Sequence, residues 1–411
     1  MINNNLLNEG YQQNKVFFDK ANGSYIYHKK NKYLDLSCCA GTLLLGHNSK
    51  VFQKSLDTIK KNQISNTASL NQQAVIFSKN LKKKIQNYSK FIMCNSGTEA
   101  VTKALRICRA ITKKKLIISV GGSWHGSADE TLYIKKNKKN IPLSDGLNSS
   151  ETNIIFVPYN DIELTKKILD KYKKKIMCIL IEPIQAGLPI ENAKNYLKFL
   201  YNYSSKNNLI LFFDEMITGV RTDGKTLQNF YNIKPDISTF GKCYGGGMPI
   251  GFIGINKNIE NKIKKNKTKI YFGGTFSGNA ISMHIANETL NFIQKNKTKI
   301  FSKINHFAEI FQKELNLFFT KNSLDMQVLK FKSISRIVFS KDKVKNRYQR
   351  DFFESKKNKE ITLFSKLLFN KKIYYPSNGI IFFNFAMSNK DLHYLIKTIK
   401  TVSKKIFYEK K

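Results

Sequence analysis

The chain has 411 residues, 41% of them apolar, which is more than one small core needs and points to two domains or one large domain with a lobe. Apolar runs are short, Leu-Ile-Leu-Phe-Phe at 209–213 being typical, whereas a membrane-spanning helix takes roughly 20 apolar residues in succession, so no span is expected. The formal net charge of +41 raises nucleic acid as a partner, but only six basic residues are Arg (106, 109, 221, 336, 347 and 350), and Arg is the side chain whose fork reads phosphates and base edges. The expectation is a solvated Lys-rich surface with no specific nucleic-acid partner.

The opening residues MINNNLLNEGYQQNK lack the charged start and apolar stretch of a secretion signal. The six cysteines show no two-residue gap of a zinc or redox motif, so reduced, mostly buried thiols in a cytoplasmic protein are expected, with no metal. Residues 1–20 read as an arm or short helix. Tyr25 to Leu36 reads as a hairpin turning at KKNK.

From about residue 50, helical stretches at 51–62, 70–86 and 98–111 alternate with short apolar runs. These are FIMC at 91–94, LIISV at 116–120, NIIFV at 153–157, IMCILI at 176–181, LILFFD at 209–214 and FIGI at 252–255. Such alternation predicts a mainly parallel sheet covered on both faces, an α/β fold. After about residue 290 a long amphipathic segment (285–320), LKFKSISRIVFS, a Lys-rich helical stretch, IIFFNFA at 380–386 and a final helix predict a smaller α+β lobe.

Several apolar runs end in chemistry-bearing residues. Ser96 and Glu99 after FIMC have capping-box spacing, so a helix starts there. That is a plain cap, or also an anion site at the free N–H groups of Gly97 and Thr98. Trp124, the sole tryptophan, sits in GGSWHG before His125 and Gly126, either buried in a tight loop or stacked on a planar ring. Glu182 and Gln185 in IEPIQAG offer a loop-orienting carboxylate and a donor to a cofactor oxygen. Asp214 is delivered by an apolar strand to the sheet edge where open α/β folds bind ligands. It either caps the next turn or meets a protonated ring nitrogen. Lys242 stands apart from the solvated KKK and KNK runs, among Gly241, Cys243, Tyr244 and GGG. A poorly hydrated lysine with close backbone can be neutral enough to form an imine. Thr275 in YFGGTFSGN belongs to a second Gly, Ser and Thr loop, a turn or a further anion contact.

Taken in order, NSGTEA, WHG, EP, DE with TG-R, GK with GGGMPIG, and GGTFSGN resemble the class III aminotransferases of fold type I, from about Gly23 to about Asp391. Within that class the chain is similar to the glutamate-1-semialdehyde 2,1-aminomutases. The resemblance implies a large domain (46–288) with a mainly parallel seven-stranded sheet, a smaller C-terminal domain (289–411) and an N-terminal segment (1–45) packing with it. It implies pyridoxal 5′-phosphate as cofactor, carried by Lys242 as a Schiff base, with Asp214 facing the pyridine nitrogen. Ser96, Gly97 and Thr98 would form the phosphate cup, Trp124 would stack on the ring, and His125, Glu182 and Gln185 would complete the pocket. Thr275 would reach the phosphate of a neighbouring subunit, which makes the protein a homodimer with a shared active site.

The departures fall on the substrate side. The aminomutases carry an Arg near the N-terminus that holds the substrate carboxylate, whereas the first Arg here is Arg106. Cys39-Ala40-Gly41-Thr42 stands where they have Ser-Trp-Gly-Pro, and Pro376-Ser377-Asn378-Gly379-Ile380 lacks their pocket Glu. The expectation is therefore a transaminase acting on a small-molecule amino donor and a carbonyl acceptor. Intramolecular transfer by an aminomutase, an isomerase, is the alternative, and a basic nucleic-acid binder is a remoter one. Cys39, Ala40 and Arg336 are the candidate substrate contacts, Arg336 because a guanidinium binds carboxylate bidentately, though it reads equally as a surface Arg on a half-exposed strand.

Overall fold

The computed structural model describes residues 16–67, 69–136, 139–148 and 152–408; most of the expected N-terminal arm lies outside them. Two compact units emerge. The larger comprises Lys50–Phe301 with Val344–Gln349, and the smaller comprises the described residues up to Ser49, Ser302–Lys343 and the described residues from Arg350 onward.

The larger unit is built on seven strands: β1 (Lys90–Cys94), β2 (Leu116–Val120), β3 (Ile154–Val157), β4 (Ile176–Ile181), β5 (Ile210–Asp214), β6 (Ile237–Gly241) and β7 (Gly251–Ile255). They lie in the order β1-β7-β6-β5-β4-β2-β3. Only β7 runs against the rest, pairing antiparallel with both β6 and β1. Strands β4 to β7 are buried along their whole length, as continuous apolar runs must be when helices cover both faces. The covering helices include α1 (Lys50–Lys61), α2 (Gln72–Lys84), α3 (Gly97–Thr112), α4 (Ile162–Tyr172), α5 (Lys194–Lys206), α6 (Lys257–Lys265) and α7 (Ala280–Lys295). The small residues Ala100, Ala104 and Cys108 let α3 lie close on the sheet, in one cluster with Ile117, Cys178, Leu180, Phe212, Ile237 and Ile253. A short hairpin, Tyr133–Lys136 with Lys139–Pro142, was not legible in the sequence.

In the smaller unit the hairpin pairs Tyr25–His28 with Asn31–Asp35. Its turn is tighter than KKNK suggests, only Lys29 and Lys30 lying outside the strands. Ile373–Tyr374 adds in parallel to Leu34 and Asp35. A second sheet joins Gln327–Phe331, Ile334–Val338 and Ile380–Phe382, all antiparallel. The long amphipathic segment expected over 285–320 is two helices, Ala280–Lys295 and Lys297–Lys321. They part at Asn296, whose side chain bonds the Phe292 carbonyl at 2.9 Å; Asn competes with the helical backbone for such carbonyls. Among the described residues no helix is long and apolar enough to cross a membrane.

Candidate functional site

The C-terminal ends of β1, β2, β4, β5 and β6 lie at one edge of the sheet, and each hands on to one of the motifs. Asp214, 4% exposed, closes β5. Its Oδ2 accepts a hydrogen bond from His125 Nδ1 at 2.8 Å. Its Oδ1 accepts from the Met216 N–H at 3.2 Å and the Thr239 hydroxyl at 3.1 Å. Thr239 is the register partner of Asp214 on β6. Ser119 Oγ lies 3.2 Å from His125 Nε2. The proton is assigned to Nδ1 because that nitrogen faces a carboxylate, so Nε2 accepts from Ser119. Asp214 does cap its turn, as the plainer reading held, but its plane is also fixed by two further donors. A carboxylate oxygen offers about two lone-pair sites, which leaves Oδ2 room for another donor.

Lys242 follows β6 directly. Its φ is +48°, a left-handed backbone that costs a non-glycine residue about 1–3 kcal/mol and clusters at functional sites. Burial pushes its ammonium below the usual lysine value, against the pull of the Glu182 and Asp214 carboxylates. Glu182, at the end of β4, is buried and its Oε2 accepts from the Trp124 N–H at 3.1 Å. Burial raises the Glu182 carboxyl, and the hydrogen bond from the Trp124 N–H partly offsets this.

The loop after β2 brings Trp124 and His125 to the same edge. Trp124 is 49% exposed, so of its two readings the buried aromatic in a tight loop does not hold, and its ring is open to a partner. Gln185 Nε2 donates to the Gly121 carbonyl at 3.0 Å and to Ser123 Oγ at 2.9 Å. Both its donors are spent, so the expected donor role is corrected to that of acceptor; its buried Oε1 has no hydrogen-bond partner among the described residues. Arg347 Nη1 donates to the Gly122 carbonyl at 2.8 Å, and the Tyr348 phenol fills the space a Cβ on Gly121 would need. Nothing in the sequence brought these two residues, more than 200 positions away, to this loop.

At the end of β1, Ser96 caps α3, its Oγ accepting from the Glu99 N–H at 3.1 Å. The Glu99 carboxylate reaches back to the Asn95 N–H at 2.7 Å, one residue earlier than a capping box predicts. The N–H groups of Gly97 and Thr98 lie beyond the intrahelical ladder, at the positive end of the helix. Thr98 Oγ1 accepts from the Ser127 N–H at 3.1 Å, tying α3 to the Trp124 loop. Thr275 lies exposed in a turn after α6.

Cys39, Ala40 and Arg336 belong to the smaller unit. Cys38, Cys39 and Ala40 all have positive φ, 46°, 51° and 52°, a left-handed turn that L-residues adopt only at a cost. Cys39 is exposed, whereas the other five cysteines are buried as expected, and none of the six is in a disulfide. Arg336 is not a surface residue of a half-exposed strand. It is 7% exposed, and its Nη2 pairs with Glu354 Oε2 at 2.8 Å while Nη1 donates to the Asn378 carbonyl. A substrate carboxylate reaching Arg336 would have to displace Glu354.

A family model described as aminotransferase class-III matches residues 6–350. A glutamate-1-semialdehyde 2,1-aminomutase from Wigglesworthia glossinidia brevipalpis is 33% identical over 342 residues, 80% of this chain and 77% of that one. The enzyme of the same name from Nitrosopumilus maritimus (strain SCM1) is 32% identical over 405 residues, 93% of each chain. Among solved structures, an omega-transaminase from Sphaerobacter thermophilus has a TM-score of 0.84 at 18% identity, covering 95% of this chain and 91% of that one. A glutamate-1-semialdehyde aminomutase from Pseudomonas aeruginosa PAO1 has a TM-score of 0.84 at 15% identity, covering 94% and 87%. At such identities the solved structures establish the fold, fold type I; the sequence match establishes the family. The chain belongs to the class III aminotransferases, a family dependent on pyridoxal phosphate.

Proposed function

We propose that this chain moves an amino group from a small-molecule donor to a separate carbonyl acceptor, with Lys242 and Asp214 holding pyridoxal 5′-phosphate between them. One observation carries the reading. A lysine held in strained backbone at the end of β6, its ammonium destabilised by burial, lies at the same sheet edge as a carboxylate fixed by three donors at the end of neighbouring β5.

The residues present fit the cofactor. The unpartnered Gln185 Oε1 suits a ring hydroxyl, Asp214 Oδ2 has room for a ring N–H, and the half-exposed Trp124 offers a flat face. The N–H groups of Gly97 and Thr98 suit the phosphate. Lys242 would hold the cofactor covalently through Nζ. Bound there, pyridoxal phosphate supplies an electron sink beside the substrate's α-carbon. Asp214 would keep the ring nitrogen protonated, and His125 and Thr239 would hold Asp214 in plane. Released by an incoming amine, Lys242 would act as general base, and its lowered pKa increases the share of neutral amine near pH 7. Glu182 would fix the Trp124 backbone against the ring.

The aminomutase reading is favoured by the names of the relatives. The transaminase reading is favoured by this chain's own departures: no Arg before Arg106, Cys39-Ala40-Gly41-Thr42, and no Glu in 376–380. The exposed Thr275 supports a homodimer whose subunits complete each other's phosphate site, and six cysteines without a disulfide support a cytoplasmic enzyme.

The purified protein should show the visible absorbance of bound cofactor, and an amino donor should bleach it until a carbonyl acceptor is added. Lys242→Ala should lose the covalent band. An unchanged band in Lys242→Ala would overturn the assignment, and turnover of glutamate-1-semialdehyde without any added acceptor would favour the aminomutase.

A further inference from the structure

Lysine is abundant on the surface of this protein, yet Lys103 on α3 is only 4% exposed. Its Nζ donates to Glu99 Oε1 at 2.5 Å and to Ser277 Oγ at 3.1 Å. The Ser277 hydroxyl in turn donates to Glu99 Oε1 at 2.7 Å. Glu99 Oε2 accepts from the Asn95 N–H at 2.7 Å and from Asn95 Nδ2 at 3.2 Å. A Cβ on Gly274 would come within 2.5 Å of Ser277 Oγ and 3.1 Å of Glu99 Oε1, so the turn that bears Thr275 is pressed onto this triad.

The triad joins two things the site needs. One is the first turn of α3, where the Gly97 and Thr98 N–H groups have no hydrogen-bond partner among the described residues. The other is the turn that presents Thr275. Glu99 sits in that first turn, and an uncompensated carboxylate there would occupy the positive helix end that should receive a dianion. Lys103 removes the conflict. Burial alone would raise the Glu99 carboxyl, but Lys103, the Asn95 N–H and Ser277 outweigh it and hold it below its ordinary value.

The geometry points to Lys103 as a positioning residue for phosphate binding: it neutralises Glu99 and, with Ser277, locks the Thr275 turn against the end of α3. This rests on the reading of that helix end as the cofactor's phosphate site, which deepens the proposed function rather than adding to it.

The test compares pyridoxal 5′-phosphate with pyridoxal, which lacks the phosphate, by absorbance titration of the full-length apoprotein. Lys103→Met should weaken pyridoxal 5′-phosphate roughly tenfold or more, as expected for a charge lost near a helix terminus, and leave pyridoxal nearly unchanged. Lys103→Met with Glu99→Gln should recover most of that loss. Ser277→Ala, which keeps the ion pair and is the milder change for folding, should weaken only the phosphorylated ligand, by a smaller factor. Equal weakening of both ligands by Lys103→Met and Ser277→Ala, or of neither, would overturn the inference by reducing the triad to a structural brace. Wild type binding pyridoxal as tightly as its phosphate would instead remove the phosphate-site reading itself.

Discussion

Gly251 is the position where one added methyl group tests the site's architecture most directly. It opens β7 and is held on both sides, opposite Gly241 on β6 and Cys94 on β1. A Cβ there would sit 2.1 Å from the Ser96 carbonyl oxygen, 2.7 Å from the Ser96 carbonyl carbon and 3.3 Å from Ala100 Cβ. The first two are backbone atoms of the residue that caps α3, and the Ser96 carbonyl also accepts the first helical bond from Ala100. Restoring ordinary contact requires a shift of roughly 1 Å, and since β7 is pinned by both neighbours the end of α3 must supply it. Overpacking of this kind costs about 1–3 kcal/mol, which in a unit of this size lowers the melting temperature by roughly 2–10 °C. A misplacement of about 1 Å in a binding constellation costs on the order of a hundredfold. Gly251→Ala should therefore lose most of its affinity for pyridoxal 5′-phosphate while still folding, as read by absorbance titration beside a thermal melt. Gly146→Ala, whose Cβ would meet open space but whose φ of +84° strains any side chain, serves as control for lost stability without any displacement of α3. Wild-type affinity and melting in Gly251→Ala would show that the contact relaxes freely, and the argument that β7 positions the anion site would fail.

Two further predictions concern buried charge. Glu215, fully buried, has its carboxyl pushed up to about 7 by burial, tempered by hydrogen bonds from Leu227, Gln228 and Thr218. Between the ordinary value of 4.5 and about 7 the folded state holds this proton more firmly than the unfolded state, so stability falls as pH rises through that window. At about 1.4 kcal/mol per pH unit of difference the loss is on the order of 3 kcal/mol; denaturant midpoints in wild type and Glu215→Gln should diverge across that range, and parallel profiles would refute it. Arg336→Met strips Glu354 of one buried partner and should cost about 3 kcal/mol, with Arg350 Nε, 3.3 Å from the same oxygen, absorbing part of the loss. Arg336→Met with Glu354→Leu should recover stability in chemical denaturation, and a double variant no better than the single one would argue against a buried pair.

The sequence by itself determined the larger unit's architecture, because a strand buried on both faces must be apolar along its whole length. IMCILI and LILFFD announce such strands without any knowledge of their neighbours. It also determined where the polar residues ending those strands would gather, since parallel strands deliver their C-terminal ends to one edge. Asp214, Glu182 and the Ser96–Glu99 cap were legible for that reason, and Lys242 by its glycine-rich setting instead, since the strand before it, Ile237–Gly241, carries no apolar run. Only the tertiary structure decided what those groups touch. Thr239 meets Asp214 through strand register, Ser119 meets His125 by a loop folding back, and Ser277 meets Glu99 across 178 positions. Arg336 reads in sequence as a carboxylate anchor or a surface Arg and is in fact paired with Glu354. Trp124 reads either as a buried ring or as a stacking face, and it is half open. Lys103 reads as one lysine among many and is buried. Periodicity reports which face of an element leaves water; it carries no record of the partner waiting there, because that partner is fixed by packing between segments the chain itself keeps far apart.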